Sequence, residues 1–103
     1  MSTENEAAIK VIVELQAKPG RRVELNHLLE SVAVKYGPNV PGFLGSTRYE
    51  VLDNPNILVE IADWTSAEER AASMQQAMAD GVYAPLEGLL AAPFRATVIR
   101  QLP

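Results

Sequence analysis

Apolar residues recur at every second position from Ile9 to Leu15, where Ile9, Val11, Val13 and Leu15 alternate with Lys10, Ile12 and Glu14. That period, in a segment rich in β-branched residues, predicts a strand. Lys18-Pro19-Gly20 breaks it, and the spacing then changes. Leu25, Leu28, Leu29, Val32 and Tyr36 fall on one side of a helix spanning 22–36, which Gly37-Pro38 stops. Pro41-Gly42 marks a second turn. From Phe43 to Leu52 the alternation returns loosely, with Phe43, Thr47, Tyr49 and Val51 set against Leu44, Arg48 and Glu50, so this strand carries its charges on one side. Asp53-Asn54-Pro55-Asn56 reads as a hairpin turn, and Ile57 to Trp64 as a third strand.

Thr65-Ser66-Ala67-Glu68 has the form of a capping box, with Thr65 as N-cap and Glu68 reaching back. The helix it opens places Ala67, Ala71, Met74 and Met78 on one stripe and ends near Gly81. A shorter helical segment over 84–91 presents Leu86, Leu89 and Leu90, and Pro93 ends it. Phe94 to Gln101 alternates again and supplies a fourth strand. The order βαββαβ predicts a ferredoxin-like α+β domain over 8–103, with residues 1–7 as a tail. Its four-stranded antiparallel sheet has the first and third strands in the middle and helices on one face. The charges Arg48, Glu50, Arg95 and Arg100 then fall on the edges.

Two helices cover one face of such a sheet, yet the third strand is apolar on both. Ile57, Val59 and Ile61 point one way, Leu58, Ala62 and Trp64 the other, and Ile12 and Ile99 extend the uncovered face. Monomers rarely leave such a patch in water, so the pattern predicts a homodimer formed through the sheet.

Composition narrows the function. In 103 residues with 48% apolar side chains there is room for one domain. The net charge of −4 and the scattered Lys and Arg residues exclude a nucleic-acid footprint. The chain has no cysteine, which removes disulfides and thiolate chemistry. A single histidine, His27, lies on the first helix facing away from its apolar stripe, so a metal site within one chain is not expected. The opening segment is polar and acidic and no apolar run is long enough to span a bilayer, which leaves the cytoplasm as the expected location. Neither a glycine-rich phosphate loop nor a Gly-x-Ser-x-Gly elbow is present.

The ordered set Pro41-Gly42-Phe43, Tyr49-Glu50-Val51, Asp53-Asn54-Pro55-Asn56, Ile57-Leu58-Val59-Glu60 and Asp63-Trp64-Thr65-Ser66-Ala67-Glu68 resembles the antibiotic biosynthesis monooxygenase domain. The resemblance runs over about residues 8 to 102. It implies a dimeric α+β barrel with a pocket between sheet and helices. It also implies oxidation of quinols, anthrones or related small aromatics by molecular oxygen, with no cofactor. Other members have no known activity, and a branch degrades haem. That branch uses a His on the second helical segment and an Asn on the first strand. Here residues 66–91 hold no His and the first strand no Asn.

Oxygenation without a cofactor needs a proton acceptor, fixed donors for an oxyanion and a dry pocket. Trp64 matches the family's tryptophan at the end of the third strand, where it can stack on a ring or simply seal the strand against a helix. Glu60 lies four residues earlier, on the same face, and is a candidate base if Ala62 between them lines a cavity. The aromatic oxygenases can carry an Asn at that place, so Glu60 is a departure, and pairing with a neighbouring arginine is its other reading. Arg48 and Arg95 are candidate oxyanion clamps and Tyr49 a further polar contact. Ala71, Met74 and Met78 are candidates for an adaptable cavity wall, with Tyr83 as its lid. The alternatives to an oxygenase are a dimeric small-ligand-binding module and an isomerase or cyclase on the same scaffold.

Overall fold

A computed structural model describes residues 7–103; most of the expected tail, residues 1–6, lies outside them. The elements are β1 (Ile9–Gln16), α1 (Arg22–Tyr36), β2 (Phe43–Val51), β3 (Asn54–Trp64), α2 (Ala67–Ala79) and β4 (Arg95–Ile99). Short 3-10 segments lie at Gly37–Asn39 and Ala84–Gly88. All strand pairings are antiparallel, in the order β2-β3-β1-β4. This is the ferredoxin-like α+β fold, with the most apolar strands central.

The β1–β3 register sets Val11 beside Ala62, Val13 beside Glu60 and Leu15 beside Leu58, all on the face toward the helices. Two buried clusters form there. Leu15, Ala17, Leu58 and Leu86 pack around Leu25 and Leu29 of α1 at one end. Ile9, Val11, Ala62 and Trp64 gather at the other. Full burial of each large aliphatic side chain stabilises the fold by roughly 1.5–3 kcal/mol. On the opposite face Ile12, Val59 and Ile61 are half-buried, while Tyr49 and Ile99 stand 49% and 39% exposed.

Three local expectations change. The hairpin is tighter than the Asp53–Asn56 turn: Val51 pairs with Asn54, leaving Leu52 and Asp53 between the strands. Asn56 is thereby free to anchor the loop after β1, its Oδ1 accepting from Gly20 N at 3.2 Å and its carbonyl from Ala17 N at 2.7 Å. At α2 the cap is Ser66, whose Oγ accepts from Glu69 N at 3.1 Å. Thr65 instead donates its hydroxyl to the Glu69 carboxylate. Both Thr65 and Ser66 have Glu three residues on, and the extended backbone of Ser66 decides between them.

The third change lies in β2. A bulge between Phe43 and Gly45 sets two residues against one on β3, with Gly45 at φ +136°. Phe43 therefore shares the helix-facing side with Ser46, Arg48 and Glu50, while Thr47 and Tyr49 turn to the open face. Gly42, at φ +81°, carries the chain into this strand; its carbonyl accepts from Thr65 N at 2.9 Å, and a Cβ there would run into the Glu69 side chain.

Candidate functional site

Between the sheet and the helices lies a cavity of about 300 Å³. It exists because α2 stands off the sheet. That helix has no buried residue, and its inward row is Ala67, Arg70, Met74 and Ala77, short or flexible at most positions. Ala62 and Ser46 keep the floor low, while Trp64 and Phe43 close one end, edge to face, with centroids 5.3 Å apart at 63°. At the same end Ser73 Oγ donates to the Pro41 carbonyl at 3.1 Å, tying α2 to the loop before β2. The walls are mostly apolar with a few polar groups among them, as in small-molecule sites generally.

Glu60 is the acidic group of the floor, on the same face as Ala62 and Trp64. Behind it on β2 stands Arg48, whose Nη1 lies 3.7 Å from Glu60 Oε2. Arg48 is held from its other side: Nε donates to Asn26 Oδ1 at 2.8 Å, and Nη2 pairs with Glu30. Its charge is thus shared between two carboxylates. Burial pushes the Glu60 carboxyl up from its ordinary value, and Arg48 only partly offsets this. Tyr83 is also raised, first by burial and then by the nearby Glu60 charge, against a smaller opposing effect of Arg70. Its phenol therefore remains a hydrogen-bond donor around neutral pH.

Of the residues predicted for the site, Trp64, Glu60, Ala62, Met74 and Tyr83 line the cavity, and Arg48 backs it. Four do not. Tyr49 pairs with Val59 on the open face, because the bulge reverses its side. Arg95 sits opposite Glu14 on that same open face, at an exposed edge. Ala71 and Met78 lie on the solvent side of α2, Met78 being 63% exposed, since the helix turns its 67/70/74/77 row inward rather than 67/71/74/78. The sequence reading missed Arg70, Ser46 and Ser73, which the cavity includes. Arg70 lies three residues after Ala67 and four before Met74, and that spacing was the available signal. His27 is exposed, as its helical phase predicts. No group of three or more His, Cys, Asp or Glu side chains is placed to hold a metal among the described residues.

A ferredoxin-like sheet with a ligand-sized cavity under its two helices defines a class of α+β domains. Within that class the chain belongs to the antibiotic biosynthesis monooxygenase family, whose model matches residues 8–80. Solved structures share the whole architecture. A conserved protein from Methanosarcina mazei Go1 is 20% identical with a TM-score of 0.80, covering 99% of this chain and 100% of its own. SnoaB from Streptomyces nogalater, a cofactor-independent oxygenase, is 18% identical with a TM-score of 0.77, covering 92% of this chain and 93% of its own. Rv0793 from Mycobacterium tuberculosis is 22% identical with a TM-score of 0.76, covering 94% and 97%. At these identities the likeness is one of fold. No curated protein gives a significant match. No helix among the described residues is long and apolar enough to cross a membrane.

Proposed function

We propose that the cavity binds a small aromatic or quinol-type molecule and that the protein oxidises it with molecular oxygen, drawing on no metal or flavin. The observation that carries this reading is a half-buried carboxyl, Glu60, set in an apolar cavity that Trp64, farther along the same strand, and Tyr83 also line, with burial raising its proton affinity. Glu60 takes a proton from the activated ring position. Tyr83, kept protonated, donates to the ring oxygen on which charge develops. The apolar walls keep water from the resulting carbanion, so that oxygen reaches it instead. For an anthrone-type CH₂ the balance is one oxygen atom gained as the carbonyl, two hydrogens lost, and the second oxygen atom released as water. Oxygen uptake by metal-stripped protein with a panel of hydroquinones, naphthols and anthrones tests this. Uptake above a heat-denatured control is expected. Solvent deuterium entering the substrate without oxygen consumption would replace the oxygenase with an isomerase built on the same Glu60–Tyr83 pair.

The reading includes a second copy of the chain on the open sheet face. Ile12, Val59 and Ile61 form its centre and Tyr49 and Ile99 extend it, an apolar surface that sheet-to-sheet packing would remove from water. Sedimentation equilibrium is expected to give a dimer for the natural chain and a monomer for Ile61→Glu. A natural chain that sediments as a monomer at tens of micromolar would remove this part of the proposal.

A further inference from the structure

Arg70 is the cationic side chain on the cavity wall, and among the described residues it makes no ion pair and no side-chain hydrogen bond. It occupies the inward row of α2 with Ala67, Met74 and Ala77, where a helix of this kind would ordinarily place an apolar residue. It lines the same cavity as Tyr83 and Glu60, and its charge bears on the Tyr83 hydroxyl. The carboxylates that line the cavity have other neighbours than Arg70. Glu60 has Arg48, and Asp80 accepts from Gln76 Nε2 at 3.1 Å. Arg48 has Asn26, Glu30 and Glu60 around it and offers little to a ligand. Arg70 is a half-buried residue whose guanidinium offers five N–H donors and no acceptor, and its planar fork suits two oxygens of one anionic group.

We infer that the cavity selects a flat aromatic molecule bearing a carboxylate, whose oxygens pair with Arg70 while the ring lies toward Trp64 and Phe43. The inference rests on the reading of the cavity as the substrate site and names the chemistry of what enters it. Arg70 is then the residue that determines specificity, and Glu60, at the floor, remains free for the ring.

The test compares 2-naphthoate with 2-naphthamide, two probes of one shape that differ in charge, bound to the full chain. Quenching of Trp64, the sole tryptophan of the sequence, reports occupancy without turnover. The natural protein is expected to prefer the carboxylate by roughly tenfold to a hundredfold, the range of a charge-assisted bidentate contact. Arg70→Gln is expected to bring the two probes to equal affinity by weakening only the carboxylate, and Arg70→Lys to restore part of the preference. Equal binding of both probes by the natural protein overturns the inference. So does a preference that survives Arg70→Gln, or binding of neither probe. Because binding is read apart from oxidation, a carboxylate preference without oxygen uptake sinks the oxygenase alone. Oxygen uptake without that preference sinks the role of Arg70 alone.

Discussion

Glu60→Gln is expected to cut turnover by roughly 10²–10⁴-fold, the range for loss of a positioned general base, while leaving the affinity for a bound aromatic nearly unchanged. Glutamine keeps the size of the side chain and can still face Arg48, but it cannot take a proton. The pH dependence carries the same signature. In the proposed reaction Glu60 acts in its ionised form, and burial raises its pKa, so activity is expected to rise with pH through a midpoint above the ordinary Glu value. Stability runs the other way. A carboxyl whose folded pKa is raised contributes stability that is fully present below its unfolded pKa and is lost as pH climbs through the folded value. The Gln variant is therefore expected to lose the acid limb of the rate profile and to flatten the stability curve in that same window. Stopped-flow oxidation and denaturant melts across pH measure the two. An acid limb that persists in Glu60→Gln would move the base to another group.

Trp64→Ala is expected to lower the unfolding free energy by about 3–5 kcal/mol, as large aromatic truncations in cores do. Trp64 is 6% exposed and packs in one cluster with Ile9, Val11 and Ala62 while meeting Phe43 edge-on. For a domain whose whole stability is on the order of 10 kcal/mol, that is a midpoint shift on the order of 20 °C. Urea melts would show it. Trp64→Phe retains much of the packing and so separates the two roles of this residue. If the Phe variant folds and binds but turns over slowly, the indole N–H acts on substrate; if it turns over normally, Trp64 is a seal. A melt of Trp64→Ala within about 1 kcal/mol of the natural protein would mean that α2 collapses into the space and that the cavity depends on the indole to stay open.

The strands and their order were legible because a half-buried strand writes its two faces into alternate positions, as β1 does from Ile9 to Leu15. Trp64, Ala62 and Glu60 were legible as neighbours for the same reason. What was hidden depended on one-residue choices. On α2 the stripes 67/71/74/78 and 67/70/74/77 are both helical, and an arginine at 70 argues for the wrong one, since charge is ordinarily read as solvent-facing. Thr65 and Ser66 each begin a capping box, and local backbone geometry chooses. Tyr49 was lost to the site through a bulge at Gly45 that no alternation count detects, because the loose pattern of β2 reads equally well in either phase. Arg95 was offered as a clamp for its charge alone, and an edge position on β4 gave no reason to place it under a helix.

That bulge has a consequence for how the site is encoded. On a regular strand, residues of one parity share a face, so Phe43 and Arg48 would look in opposite directions. The added residue between Phe43 and Gly45 switches parity midway along β2. An odd-numbered aromatic then meets Trp64 at one end of the cavity, and an even-numbered cation meets Glu60 farther along the same floor. The aromatic wall and the Arg48–Glu60 pair belong to one cavity through a single miscount in the backbone. Shortening β2 by one residue there would swap which half of its side chains faces the cavity and which faces the outer surface of the sheet.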